Sequence, residues 1–191
     1  MKVEIVPYNP DWKNKFEDEK KFLSELLREF NPQIEHIGST AIEGLGAKPV
    51  VDIQIGMRKY EDLDSMVDIM IAAGYVYYKK YEVVLPDRRY FVKAANPNNE
   101  VLPKILYTYE DNFDRKEHPH LFHIHTVELD SGWWRRHIAF RDYLRNNGAA
   151  RDEYYKLKVE LAEKEWKDKN DYTDAKTEFV KSIEKLAGIY E

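Results

Sequence analysis

Two short stretches carry residue types that could do chemistry. Ile34-Glu35-His36-Ile37-Gly38-Ser39-Thr40 reads as a strand running into a tight turn, and Pro49-Val50-Val51-Asp52-Ile53-Gln54-Ile55 reads as a second strand with one acid inside an apolar run. A glycine at such a turn lets the backbone approach a ligand closely. A helix opening there would offer unpaired N–H groups to an anion, with the Ser39 and Thr40 hydroxyls as further donors. An acid buried alone in a strand costs on the order of several kcal/mol, so Asp52 needs a partner: a metal, a Lys or Arg, or backbone donors. Together the stretches predict a site that holds a phosphate and sets a carboxylate beside it.

Other candidates lie further along. His123 and His125 flank Ile124 on an expected strand and so project to one face, where they could ligate a divalent metal, contact a phosphate or hydrogen-bond within the sheet. His118 and His120 flank Pro119 and read as loop residues. Lys48 precedes the Asp52 strand, Arg88, Arg89 and Lys93 lie on an expected hairpin, and Arg141 and Arg145 share a helix face. Lys158 follows four residues after Tyr154. Cations converging on one cleft would suit a triphosphate, with arginine forks favoured for bidentate phosphate contact.

The elements that must position these residues follow from periodicity. Asn9-Pro10-Asp11 reads as a turn with Asp11 as N-cap. A helix over 12–30 is stopped by Asn31-Pro32. Strands are expected over 33–37 and 49–55, separated by one helical turn over 40–48. In the second strand Val51, Ile53 and Ile55 fall on one face and Asp52 and Gln54 on the other. Leu63, Val67, Met70 and Ile71 mark a helix ending at Gly74, followed by antiparallel strands over 75–85 and 88–94 around Pro86-Asp87. Residues 96–99 read as a turn, 101–109 as an extra strand or a tethered loop, and 121–129 as a strand. Three helices complete the chain, over 132–146, 149–169 and 173–187, with Asn170-Asp171 as the break between the last two. The first carries Trp133, His137, Phe140 and Leu144 along one stripe. An α+β sheet domain over 1–130 with a C-terminal helical bundle over 131–191 is the expected architecture.

Composition narrows the function classes. With 191 residues, 43% hydrophobic and 14% aromatic, the chain is long and apolar enough for a packed domain. Thirty basic and 35 acidic residues give a net charge of -5, which provides no general field for polyanions and argues against a broad nucleic-acid surface. The absence of cysteine excludes disulfides, thiolate nucleophiles and Cys-based zinc sites. No run is apolar enough to span a bilayer and no signal-peptide core is visible, so a cytoplasmic protein with no membrane partner is expected.

The motifs jointly resemble one family. Val6-Pro7-Tyr8-Asn9-Pro10-Asp11-Trp12, the Gly38-Ser39 and Asp52 stretches, His123-Ile124-His125, Phe140-Arg141-Asp142-Tyr143-Leu144-Arg145 and Tyr154-Tyr155-Lys156-Leu157-Lys158 closely resemble the GrpB family over nearly the whole chain. That family is similar to the nucleotidyltransferase superfold of polymerase β and the aminoglycoside nucleotidyltransferases, and in some bacteria is fused to dephospho-CoA kinase. The resemblance implies a nucleotidyltransferase-like mixed β-sheet with flanking helices. Gly38 and Ser39 would hold the β- and γ-phosphates, Asp52 would be the catalytic metal-binding acid, and cations of the helical part would hold the nucleotide tail. Two departures stand out. Gln54 occupies the place of the second carboxylate, and the His123/His125 pair replaces the third acid, with Glu128 as a further candidate.

Three functions follow as expectations. The first is a transferase moving a nucleoside monophosphate from NTP to a small acceptor, with Mg²⁺ or Mn²⁺ as cofactor, or Zn²⁺ if the histidines ligate. The second is a non-catalytic sensor of a nucleotide or another phosphorylated small molecule. The third is a metal hydrolase whose histidines activate water.

Overall fold

The computed structural model describes residues 2–96, 99–166 and 169–189, with the backbone only at 169 and 170. A five-stranded mixed sheet organises the chain. Its strands are β1 (Gln33–Ile37), β2 (Val51–Met57), β3 (Val76–Tyr77), β4 (Arg88–Ala94) and β5 (His120–Glu128). They lie in the order β1-β2-β5-β4-β3, and only the central β2–β5 pair is parallel.

The period of two decides what each face carries. Val51, Ile53, Ile55, Ile124 and Phe91 are fully or almost fully buried on one face, against helices α1 (Asp11–Leu26), α2 (Asp62–Ser65) and α3 (Val67–Ala72). On α1, Trp12, Phe16, Glu19 and Leu23 face this core at helical spacing. Asp52 pairs with His123 and Gln54 with His125 across the parallel ladder, so all four side chains point to the opposite face. Helices α4 (Gly132–Asn146), α5 (Gly148–Ala162), α6 (Lys169–Asp174) and α7 (Thr177–Leu186) cover part of that face. Ile42 and Leu45 pack with Leu144, Tyr154 and Ile183, joining the C-terminal helices to the loop between β1 and β2.

Several elements differ from expectation. The first helix ends at Leu26 and continues as a 3-10 turn, with Asn31 in the left-handed region before Pro32. Asp11 lies inside that helix rather than capping it; its N–H is taken by Asn9 Oδ1 at 2.9 Å. The turn after β1 is one 3-10 turn over Ser39–Ala41, not a helical turn reaching Lys48. The strand expected over 75–85 stops at Tyr77 and gives way to a 3-10 segment over Lys79–Val83. The reason is competition from the 101–109 segment, which is a tethered loop. Tyr78 N–H still donates to Tyr90 O, but the next donor on that side, Lys80 N–H, goes to Leu106 O, so the backbone leaves β4 after Tyr78.

At the C-terminal end, α5 stops at Ala162, before residues 167–168, which lie outside the description. Asn170 and Asp171 lie inside α6 rather than breaking a helix. Along α4 the buried residues are Trp134, Arg141 and Leu144, while Trp133, His137 and Phe140 are half-buried. Of the turn expected at 96–99, Pro97 and Asn98 lie outside the described residues. Among the described residues, no helix is long and apolar enough to cross a membrane.

Candidate functional site

Gly38 brings the turn onto the acid. Its φ of 70° and ψ of -172° place it in a region open essentially to glycine, and a Cβ there would come within 2.6 Å of Asp52 Oδ2. The turn is too short to carry a helix dipole, so anion binding here depends on side chains and local N–H groups. Thr40 Oγ1 is engaged by His36 Nε2 at 2.9 Å, whereas Ser39 stands beside Tyr154 at the edge of the cleft.

A chain of rings ends on Asp52. Its Oδ1 lies 3.1 Å from His123 Nδ1; His123 Nε2 lies 2.9 Å from His120 Nδ1; His120 Nε2 lies 3.3 Å from the Tyr78 hydroxyl. On the other side, Arg88 Nη1 lies 3.1 Å from His125 Nδ1, and His125 Nε2 is 3.9 Å from the same carboxylate oxygen. Arginine can only donate, so His125 Nδ1 accepts and its proton sits on Nε2, facing Asp52. Burial pushes His125 down to about 4, against the pull of Asp52, and burial with Arg115 nearby pushes His120 down to about 2. Burial would raise the Asp52 carboxyl, but the hydrogen bond from His123 and the nearby His125 outweigh it and hold it well below the usual carboxylate range. Asp52 is therefore an anion with 31% of its side-chain surface open to the cleft.

This arrangement does not fit a centre in which Asp52, His123 and His125 jointly ligate a metal. Both imidazoles turn toward the carboxylate, and the Arg88 bond leaves His125 no lone pair for an ion. Gln54 is fully buried, with Nε2 donating to Trp134 O at 3.2 Å, so it does not reach the cleft. Glu128 lies at the far end of β5 beside a different cavity. Among the described residues, three ligand atoms fall within 4.8 Å of one another at Glu100, Glu117 and His118, away from Asp52.

Asp52 forms the floor of a cavity of about 740 Å³. Of the expected cations, Lys48, Arg88 and Lys158 line it together with Ser39 and Thr40, and Lys176 joins them. Lys48 Nζ and Lys176 Nζ lie 4.3 and 4.4 Å from the Tyr172 ring centre, and Lys158 Nζ donates to Gly46 O. Burial and the charge of Lys176 push Lys158 down to about 7. Burial and Lys48 push Lys176 down to about 8, against the pull of Asp52. Among the described residues, none of these three lysines forms an ion pair with a carboxylate.

The remaining expected cations are committed elsewhere. Arg89 points to the helical face and donates to Asp64 Oδ1 and Pro86 O at 2.7 and 2.6 Å. Lys93 is held by both carboxylate oxygens of Glu19, at 2.9 and 2.8 Å. Arg141 joins Glu35, Asp142 and the His36 carbonyl, and Arg145 clasps Ala41 O at 2.9 and 2.8 Å from a second cavity. These four hold the frame in which the cleft sits.

Sequence reasoning missed Lys176, Tyr172 and His120. Tyr172 precedes Lys176 by four residues, as Tyr154 precedes Lys158, and both lysines sit over their tyrosine rings. That repeated spacing was the available signal. His120, expected in a loop, is the first residue of β5 and is buried.

Comparison with known proteins gives a consistent family. The model of a family described as GrpB protein matches residues 2–186. The glutamate-rich protein GrpB of Alkalihalophilus pseudofirmus is 34% identical over 182 residues, covering 95% of this chain and 93% of that protein. The crystal structure of the conserved protein GrpB from Enterococcus faecalis superposes with a TM-score of 0.74 at 31% identity, covering 96% of each chain. A shorter likeness, 32% over 92 residues, links 46% of this chain to 23% of the dephospho-CoA kinase of Mycolicibacterium paratuberculosis. With the match spanning nearly its full length and the fold shared, the chain belongs to the GrpB family.

Proposed function

We propose that the protein binds the phosphate chain of a nucleotide in the Asp52 cleft. The observation that carries this reading is the set Lys48, Lys158 and Lys176: three buried or half-buried ammonium groups lining the cleft, depressed by burial and neighbouring cations, with no carboxylate paired to them among the described residues. Such crowding is costly without an anion and is relieved by one. The partial likeness to a dephospho-CoA kinase, whose name denotes nucleotide chemistry, points the same way.

Nucleotidyl transfer on a nucleotidyltransferase-like scaffold is the second reading, favoured by the contact of Gly38 with Asp52. An acceptor oxygen would attack the α-phosphorus of NTP while its bond to the β-phosphate breaks, releasing pyrophosphate. A divalent ion would have to rely on Asp52 and phosphate oxygens, since the histidines are turned to the carboxylate. Hydrolysis by histidine-activated water has less support, because both His123 ring nitrogens are engaged.

A thermal-shift screen of ATP, GTP, CTP and UTP, with and without Mg²⁺, Mn²⁺ and Zn²⁺, tests both readings. Nucleotides are expected to raise Tm, and Lys176→Met to abolish the rise. Flat melting curves with all four would overturn phosphate binding. Pyrophosphate release lost in Asp52→Ala would select transfer, and binding without release would select the non-catalytic form.

A further inference from the structure

The two ends of the cleft differ in chemistry. Around Tyr172 the wall is cationic, formed by Lys48, Lys158 and Lys176. At the other end it is aromatic and apolar. Tyr81 and Tyr109 stand 6.2 Å apart at 56°, beside Val84 and Leu85. Val84, Leu85 and Tyr109 are exposed, Val84 to 66% and Tyr109 to 61%, although all three line the cavity. Tyr81 is half-buried against Tyr78 and Tyr90, so one partner of the pair is fixed from below.

The excursion between β4 and β5 builds this end. It delivers Tyr109 and is anchored by Lys80 Nζ donating to Asp111 O at 2.6 Å and by Asp111 Oδ2 accepting from the Tyr107 and Thr108 N–H groups. It also brings Arg115 close to Tyr78, Tyr81 and Lys48, with a buried Nε that has no partner among the described residues. Arg88 closes the same side between the Tyr90 and Trp133 rings and, among the described residues, its buried Nε likewise has no partner. The Arg88 donor, unpartnered among the described residues, in a wall that also carries half-buried Tyr81 and exposed Tyr109, suits a ligand with acceptors and a flat face.

We infer that Tyr81 and Tyr109, with the lip of Val84 and Leu85, form the seat for a nucleobase, so the ligand is a nucleoside polyphosphate lying lengthwise. Its phosphates point to the Tyr172 lysines and its base stacks at the Tyr109 end. This rests on the reading of the cleft as a phosphate site. The volume of about 740 Å³ lies within the usual range for ligand pockets. Stacking on tyrosine tolerates any base, because every base has a π-face. Tyr109 therefore adds affinity for all four nucleotides rather than choosing among them.

Calorimetry with ATP, GTP, CTP, UTP and inorganic tripolyphosphate tests this. The wild type should bind each nucleotide more tightly than tripolyphosphate. Tyr109→Ala, an exposed substitution that leaves the core intact, should weaken nucleotides by about fivefold or more and leave tripolyphosphate unchanged. Lys176→Met should weaken both classes. Equal nucleotide affinity in wild type and Tyr109→Ala, or parallel loss of tripolyphosphate, would overturn the base seat while phosphate binding stands. If neither tripolyphosphate nor any nucleotide binds the wild type, the phosphate reading falls and the base seat with it.

Discussion

Asp52 is kept ionised by its neighbours and kept close to the turn by the one residue that lacks a side chain. Gly38, Ser39 and Asp52 were legible in the sequence, because a glycine before a short turn and an acid in an apolar strand each break a local rule. The role of the histidines was not. His123 and His125 were expected to share a face, and they do, but which nitrogen faces the acid depends on Arg88 and His120, which reach them only in the folded sheet. Gly38→Ala is the sharpest test at this scale. It introduces strain at a φ of 70° and drives a methyl toward Asp52 Oδ2. We expect a stability loss of roughly 1–3 kcal/mol by urea denaturation, together with loss of nucleotide binding. A variant of unchanged stability and affinity would show that the close approach is dispensable.

At the scale of elements, the strongest strands and helices were readable from periodicity, and the errors fell where tertiary partners compete. Residues 75–85 have strand-forming composition, yet the tethered 101–109 loop takes the backbone donor of Lys80, so the ladder to β4 ends after Tyr78. Lys93 was expected among the phosphate ligands. It instead crosses from β4 to α1, where Glu19 also accepts from the Tyr75 hydroxyl; burial first, and then this contact, raise the tyrosine above its ordinary range. No pattern within one element reveals a partner 74 residues away. Glu19→Gln should therefore destabilise by about 1.5–3 kcal/mol, the cost of losing charge-assisted hydrogen bonds at a buried site. Lys93→Met should lower the urea midpoint and leave nucleotide affinity intact. The opposite result, an unchanged midpoint with weakened binding, would return Lys93 to the ligand set.

For the whole molecule, the cleft is assembled from the Ser39 turn, the Asp52 strand, the β4–β5 side, helix α5 with Lys158 and the turn between α6 and α7 with Lys176. This convergence was outside what spacing can show, although the repeated Tyr-to-Lys interval marked two of its members. It also makes charge in the cleft a property of pH. Lys158 and Lys176 ionise near 7 and 8 in the folded chain and near 10.5 when unfolded. Between those values the unfolded chain binds more protons, so the stability of the unligated protein should rise as pH goes from about 7 to 10. A polyanion reverses the preference, because it stabilises the charged lysines and draws protons onto them. Nucleotide affinity should therefore fall from pH 7 to pH 9 while unligated Tm climbs. Calorimetry at pH 8 in buffers of different ionisation enthalpy should register net proton uptake, since the phosphate chain is already deprotonated there. Affinity that is flat across this window, with no proton uptake, would mean that the phosphates are not held by Lys158 and Lys176.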